Sequence, residues 1–226
     1  MTTQPTLAVK RQAPEHDAVL KCPSVAKTPR VYSLGATKVT TRTKGNLAGA
    51  DAYMSYRFAV VCPRTTSWWI FDRRYSDFYA LRALLRDLSS TTDAKAQQIA
   101  SGPFPRRRLV FAVDNRSIVD ERSEGLARFT ADVARLVAAT PDDRKGDDVG
   151  QLVGSFLRAP RRSEALRKPC SLPHDCPICL EETTAGDRSL RTACGHSFHE
   201  ACLVKWLETE ATCPLCRASA THGTLN

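Results

Sequence analysis

Cysteines and histidines recur near the C-terminal end of this 226-residue sequence in the pattern C-x2-C-x14-C-x-H-x2-H-x2-C-x10-C-x2-C. A C-x2-C pair in a tight turn can direct both sulfurs at one metal ion, and such a pair stands at each end of the pattern. The eight residues are Cys176, Cys179, Cys194, His196, His199, Cys202, Cys213 and Cys216. Because one tetrahedral zinc takes four ligands, the pattern predicts two zinc ions.

Zinc would supply folding energy that so short a segment lacks. A module of this size cannot bury enough apolar surface to fold alone, whereas a structural zinc contributes roughly 10–16 kcal/mol. Eight ligands complete both coordination shells, so we expect the metal to hold shape and not to perform catalysis. The N-terminal residues lack the apolar region of a secretory signal, and no run of about 20 apolar residues occurs. We therefore expect a cytoplasmic protein, whose thiols stay reduced and available to metal.

Residues 174–218 resemble a RING finger of the two-histidine kind, and every ligand position of that family is matched. The resemblance implies a cross-braced order, in which the ligands alternate between the two metal ions. One zinc ion would be held by Cys176, Cys179, His199 and Cys202. The other would be held by Cys194, His196, Cys213 and Cys216. The alternatives are a PHD-like finger, which places its histidine differently, and two independent fingers.

The same resemblance implies ubiquitin ligase activity. RING fingers typically bind a ubiquitin-conjugating enzyme and hold its thioester-linked ubiquitin in a reactive posture, so the catalytic cysteine belongs to the partner and none is assigned here. The implied contacts are a shallow apolar groove of Ile178, Trp206, Pro214 and Leu215. Arg217 matches the family's linchpin position, where a guanidinium donates hydrogen bonds to ubiquitin and enzyme together. In the alternative interpretation Trp206 only caps the small core, and the finger only binds proteins.

The rest of the chain divides by composition and periodicity. Residues 1–29 are polar, contain four prolines and predict disorder. Alternating apolar residues in "AYMSYRFAVV" and "SWWIFDRRY" predict strands joined by a turn, and three apolar stripes further along predict helices. Residues 159–173 indicate a basic, proline-bounded linker, and 219–226 a flexible tail.

Residues 30–158 resemble a PX domain, the family of phosphoinositide-binding modules. The resemblance rests on three stretches in order: "FDRRYSDFYALRALL", the basic loop "GPFPRRRLVF" and the helix start "DERSEGLARF". It implies a three-stranded antiparallel sheet with a helical subdomain. The whole chain would then be an α+β protein, with a PX-like domain joined to a small zinc-stabilised finger.

The PX resemblance also implies a lipid site, with phosphatidylinositol 3-phosphate as the expected ligand. Arg74 would contact the 3-phosphate, because arginine offers two donors to phosphate oxygens, and Tyr75 would pack beneath the inositol ring. Arg107 or Arg108 would hold the neighbouring phosphate, and Arg122 would bind the ring hydroxyls. The sequence does not decide which of the three consecutive arginines, Arg106 included, contacts phosphate.

Three apolar residues after the triple arginine, Leu109, Val110 and Phe111, would dip into the bilayer while the arginines stay at headgroup level. This fits the charge distribution: residues 30–158 hold 21 basic and 14 acidic side chains, whereas 174–218 hold 4 and 7. An anionic partner should therefore meet the middle of the chain. In the alternative interpretation the arginines form a nuclear-import or nonspecific anionic patch.

Together these features predict a ubiquitin ligase recruited to endosomal or other phosphoinositide-bearing membranes as a peripheral protein. Its partners would be a conjugating enzyme, ubiquitin and a protein substrate that the sequence does not name. The alternative is a non-enzymatic trafficking adaptor whose finger only binds protein. No nucleic-acid partner is expected, because neither an aromatic-interleaved RNA motif nor a recognition-helix finger is present.

Overall fold

A computed structural model of the protein describes residues 28–41, 51–89, 94–108, 115–139, 148–160, 175–184 and 187–225. The predicted disordered segment, apart from Thr28 and Pro29, and most of the predicted linker lie outside these residues. Within them, no helix is both long and apolar enough to cross a bilayer.

The chain first forms an antiparallel three-stranded sheet, followed by four helices. The strands are β1 (Arg30–Thr41), β2 (Asp51–Cys62) and β3 (Ser67–Arg74). The helices are α1 (Tyr75–Ser89), α2 (Ala94–Ser101), α3 (Arg116–Ala139) and α4 (Asp148–Leu157). Strand β2 lies between β1 and β3, as expected for strands that follow one another through short connections. The predicted three-stranded sheet and helical subdomain are therefore confirmed.

A second, smaller group of elements lies at the C-terminal end of the described chain. It consists of β4 (Ser189–Thr192), β5 (Ser197–His199), α5 (Glu200–Leu207) and β6 (His222–Leu225). All six strands belong to one antiparallel sheet in the order β1-β2-β3-β6-β4-β5. The α+β class predicted from the sequence is confirmed.

The helices cover one face of the β1–β3 sheet. Tyr56, Phe58 and Val60 of β2 point into this core, where they meet buried side chains of the helices. Those helical side chains are Phe78, Leu81 and Leu85 of α1, Leu126, Phe129 and Val133 of α3, and Val153 and Leu157 of α4. This helical core follows the alternation in β2 and the stripes predicted for α1 and α3.

The opposite face of the same sheet is also buried. Leu34, Ala59, Val61 and Trp68 pack against the C-terminal elements in a second core, here called the junction core. The C-terminal elements contribute Cys176, Leu190, Phe198, Leu203, Val204, Leu207, Cys213 and Ala220. Strands that are buried on both faces have near-continuous apolar sequences. The stretches "FAVVC" in β2 and "SWWIF" in β3 are runs of this kind.

From the sequence, residues 219–226 are expected to form a flexible tail, but residues 222–225 form strand β6 between β3 and β4. Trp68 pairs with Gly223 on one side of β6, and Thr192 pairs with Gly223 on the other. The short polar stretch "THGTL" gives no periodic signal of a strand. Its conformation is set by two strand edges, each with unpaired backbone groups that a strand between them satisfies.

Candidate metal centres and anion site

The two C-x2-C turns, "CPICL" and "CPLCR", have the same backbone conformation. In each turn the residue after the second cysteine has a positive φ, 63° at Leu180 and 59° at Arg217. The N–H of that residue donates to the carbonyl of the first cysteine, at 2.7 Å from Leu180 to Cys176 and 2.9 Å from Arg217 to Cys213. The left-handed residue closes each turn and leaves two sulfurs on its inner side.

The remaining ligands come from the β4–β5 hairpin and from α5. Cys194 and His196 flank Gly195, whose φ of 93° and N–H bond to the carbonyl of Thr192 (2.9 Å) close the hairpin turn. His199 ends β5, and Cys202 lies in the first turn of α5. Because β5 runs directly into α5, His199 and Cys202, the two ends of the "HEAC" stretch, reach the same site.

The eight side chains assemble into the two groups that the cross-braced order implies. The first group is Cys176, Cys179, His199 and Cys202, and the second is Cys194, His196, Cys213 and Cys216. Within each group, the ligand atoms all lie within 4.8 Å of one another. The groups alternate along the chain, unlike the ligands of two independent fingers.

Distances within the groups match those of a tetrahedral zinc shell. His199 Nδ1 lies 3.3 Å from Cys179 Sγ, and His196 Nδ1 lies 3.3 Å from Cys194 Sγ and 3.5 Å from Cys213 Sγ. Zn–S and Zn–N bonds of about 2.3 and 2.0 Å set tetrahedrally separate sulfur from nitrogen by roughly 3.5 Å. The two groups therefore fit two zinc ions, and each uses all four positions.

Some of the thiols are poised to ionise. Burial on its own would raise the pKa of Cys176, but N–H groups of Cys179, His199 and Ile178 donate to its sulfur and lower the pKa to about 7. Metal-binding thiols must lose their protons, so these backbone donors favour the form that binds zinc.

Crowding has the opposite effect on a neighbouring thiol. Burial, together with the nearby sulfurs of Cys179 and Cys176, raises the pKa of Cys202 to about 12. Sulfurs this close repel one another as anions, and only a bound cation removes that repulsion. A zinc ion in the first group would therefore release a proton from Cys202.

Polar groups outside the two ligand groups lie next to two of the ligands. Asp187 Oδ2 lies 3.8 Å from His199 Nε2, on the side of the ring away from the metal group. Thr192 Oγ1 lies 3.0 Å from Cys194 Sγ. The Thr192 hydroxyl is within hydrogen-bond distance of its ligand sulfur, as are the polar groups that orient ligands in zinc sites, whereas Asp187 faces His199 at ion-pair distance only.

The predicted contacts for a conjugating enzyme lie at the surface of the finger. Ile178 is 37% exposed, Trp206 36% and Leu215 52%, and Arg217 is exposed beside Leu215. Pro214 is half-buried. The indole N–H of Trp206 donates to the carbonyl of Thr212 at 2.8 Å, which fixes the ring on the outer side of α5.

Sequence reasoning missed Leu180, the most exposed large apolar side chain among the described residues at 81%. It occupies the same place in the first turn that Arg217 occupies in the second. Comparison of "CPICL" with "CPLCR" could have identified it.

A second candidate site lies where β3 runs into α1. The hydroxyl of Tyr75 donates to the carbonyl of Pro105 at 2.8 Å, and the guanidinium carbon of Arg122 lies 4.1 Å from the centre of the Tyr75 ring. Gly125 of α3 lets the loop lie close to the helix, because it has no side chain: a Cβ there would lie 2.4 Å from Pro105 Cγ. Strand end, loop and helix α3 thus meet around Tyr75.

The arginines of this site are placed differently from one another. Arg74 is half-exposed and pairs with Asp77 (Nε to Oδ1, 3.0 Å). Arg107 lies over the ring of Tyr79, 5.6 Å from its centre, whereas Arg108 pairs with Glu121 at 2.8 Å. The membrane-insertion prediction for Leu109, Val110 and Phe111 concerns residues outside the described part of the chain.

The Nε of Arg122 is buried at this site and lacks a hydrogen-bond partner among the described residues, and the buried Tyr56 hydroxyl lies close to the Arg122 guanidinium. Burial raises the pKa of Tyr56, and hydrogen bonding with Arg122 and its positive charge act in the opposite direction. An unpaired buried donor on a cation costs free energy, so a ligand with anionic or hydroxyl oxygens would stabilise the site.

Comparison with known families identifies both parts of the chain. The model of the "Ring finger domain" family matches residues 174–217, and that of the "PX domain" family matches residues 63–144. The chain therefore contains a RING finger of the two-histidine kind preceded by a PX domain, in the predicted order. The exact domain limits, 30–158 and 174–218, remain predictions.

Several named relatives share the finger. The human "E3 ubiquitin-protein ligase RNF126" is 43% identical over 47 residues, which are 21% of this chain and 15% of that protein. The Arabidopsis thaliana "E3 ubiquitin-protein ligase AIRP1" is 50% identical over 42 residues, 19% of this chain and 28% of that protein. The Arabidopsis "E3 ubiquitin-protein ligase SDIR1" is 24% identical over 156 residues, 68% of this chain and 47% of that protein. The chain thus spans less than half the length of these relatives.

The cross-braced geometry predicts that loss of one ligand removes metal from the finger. We expect the purified chain to hold two zinc ions and the His199→Ala variant to hold fewer, because three remaining ligands bind zinc more weakly. Native mass spectrometry would measure the ratio. The control is His222→Ala, since His222 lies in neither ligand group. Two zinc ions retained by His199→Ala would contradict the assignment.

Proposed function

We propose that this protein is a RING-type ubiquitin ligase that its PX domain recruits to phosphoinositide-bearing membranes. The observation that carries the ligase proposal is the outer surface of the finger. Both C-x2-C turns and helix α5 hold apolar side chains at the surface there, with Arg217 beside them. Exposed apolar groups on an otherwise polar module are typical of protein-binding sites.

The finger would act by positioning and not by chemistry of its own. Zinc bound by the two ligand groups holds the turns in shape and completes its shells with protein ligands. Ile178, Trp206 and Leu215 would dock the conjugating enzyme, whose own cysteine carries ubiquitin. Orienting that thioester raises the rate at which an amine attacks it.

Arg217 has the geometry that a bridging donor needs. Its backbone is fixed by the turn, through the 2.9 Å bond to the Cys213 carbonyl, while its side chain is exposed. A guanidinium offers five N–H donors and stays charged at every physiological pH. It would donate to ubiquitin and to the conjugating enzyme at the same time.

The PX domain would supply the membrane address. Tyr75 contacts the loop that follows α2 and also Arg122, Arg107 lies in that loop, and Arg74 directly precedes Tyr75. The unpaired Nε of Arg122 supports an oxygen-rich ligand. Among the three consecutive arginines we favour Arg107, because it lies on the aromatic wall of the site while Arg108 is already paired with Glu121. We propose phosphatidylinositol 3-phosphate as the ligand and endosomal membranes as the location.

The ligase proposal predicts that Trp206→Ala lowers ubiquitin transfer by about tenfold or more, the usual loss when a central aromatic contact is truncated. Arg217→Ala should leave binding of the conjugating enzyme nearly unchanged but slow ubiquitin discharge from it. Autoubiquitination and single-turnover discharge assays measure the two effects. Leu84→Ala is the control, since Leu84 is an exposed leucine of α1, in the PX domain. Full activity of Trp206→Ala would refute the proposed docking surface, whereas no ubiquitin transfer by the parent protein would favour the adaptor alternative.

The lipid proposal predicts that Arg74→Ala weakens binding to vesicles containing phosphatidylinositol 3-phosphate by about tenfold, the loss expected for a charge-assisted hydrogen bond. Arg135→Ala is a matched control, because Arg74 and Arg135 each form an exposed ion pair with an aspartate three residues away. Co-sedimentation with vesicles, with and without the lipid, measures the difference. Equal loss in both variants would indicate nonspecific charge attraction and contradict the assignment.

A further inference from the structure

The inner side of the zinc finger packs against the PX domain. Leu203, Val204 and Leu207 of α5 are buried in the junction core against the sheet, whereas Trp206 lies on the outer side of the same helix. The sheet contributes Ala59, Val61 and Trp68, each at most 1% exposed. The finger therefore covers an apolar face that the four helices of the PX domain leave open.

A buried ion pair joins the two domains at one end of this contact. Glu200, the first residue of α5, is 4% exposed and lies between the zinc ligands His199 and Cys202. Arg30 of β1 donates to both of its carboxylate oxygens, at 2.6 and 2.5 Å, and the Tyr32 hydroxyl donates to it as well. A buried carboxylate without such donors would be strongly destabilising, so Glu200 requires the PX domain.

Strand β6 joins the domains at the other end. Gly223 lies against both the Trp68 indole and the Arg191 backbone. The Trp68 indole N–H donates to the Arg191 carbonyl at 3.0 Å. A Cβ at position 223 would lie 1.9 Å from that carbonyl oxygen and 2.6 Å from Trp68 Nε1. The backbone N–H of Ile70 also donates to the carbonyl of Thr221 at 2.7 Å.

We propose that these contacts make the zinc finger and the PX domain a single body that does not depend on the chain connecting them. The open face of the PX sheet is a docking surface, and its occupant is the finger of the same molecule. Apolar burial, a bidentate ion pair and main-chain pairing together resemble a subunit interface more than a flexible linkage between domains.

The consequence is a fixed relation between the two proposed binding surfaces. Docking leaves Ile178, Trp206 and Leu215 exposed, so it does not close the outer surface of the finger. Docking also fixes the orientation of the finger relative to β3, the strand that ends at Arg74 directly before Tyr75. The docking proposal itself does not depend on ligase activity or on lipid binding.

Cleavage of the connecting chain tests the proposal. A protease site is placed between residues 161 and 173 of the full-length protein, with an affinity tag at the N-terminus. After complete cleavage the C-terminal fragment should stay with the tagged fragment during purification at micromolar concentration. Separation of the two fragments would overturn the proposal.

A matched pair of glycine variants identifies the surface. In the cleaved protein, Gly223→Ala should lower the retained C-terminal fragment by about tenfold, because its Cβ would collide with the Arg191 backbone and with the Trp68 indole of the PX domain. Gly154→Ala should retain it fully, since no atom lies within 4 Å of a Cβ there. Two zinc ions on the Gly223→Ala protein would show that its finger is folded. Full retention by Gly223→Ala would overturn the assigned surface.

A second variant covers the case in which Gly223→Ala loses zinc. Arg30→Ala combined with Tyr32→Phe removes the partners of Glu200 from the PX side, leaves the finger sequence intact, and should also release the fragment. Light scattering on the uncut protein should give the monomer mass of 24.9 kDa. A dimer, in which each finger docks on the other copy, would overturn docking within one molecule.

Discussion

The interleaving of the two zinc shells is the constraint on which the rest of the structure depends. Ligands of the second group lie between ligands of the first along the chain, so each metal fixes segments that the other also holds. This arrangement gives a short, sparsely apolar segment two defined faces. The inner face carries Leu203 and Leu207, and the outer face carries Ile178 and Trp206.

Strand β3 connects the metal-dependent finger to the proposed anion site. Its first residues pair with β6 of the finger, and its last residue, Arg74, precedes the helix that begins at Tyr75. Both faces of the strand are buried, with Trp68 in the junction core and Trp69 in the helical core. One element thus supports both proposed surfaces, and this gives the two-domain interpretation a physical basis.

Much of the site was predictable because its determinants are local. Metal ligands must recur at spacings that a turn or helix can satisfy, so the sequence alone separates Cys176 and Cys213 from the other cysteines. Alternation in β2 likewise predicts the residues of the helical core, such as Phe58. The RING and PX resemblances rest on these same local motifs, and the family comparisons confirm both.

The remaining features depend on tertiary contacts that no local pattern encodes. Strand β6 exists because β3 and β4 each present an edge, and Gly223 is required only by its two neighbours. Glu200 has the appearance of an ordinary surface carboxylate until Arg30, 170 residues earlier, is brought beside it. The alternation in β2 indicates only one buried face, so it does not predict that Val61 is buried against the finger.

Hydrogen exchange at the Ile70 amide, measured by NMR before and after zinc chelation, is the most direct test of the whole account. We expect exchange at Ile70 to accelerate when zinc is removed, because its acceptor belongs to the finger, while Phe129 in the helical core stays protected. Unchanged protection of Ile70 in the zinc-free protein would contradict the dependence of the docked sheet on the metal centres.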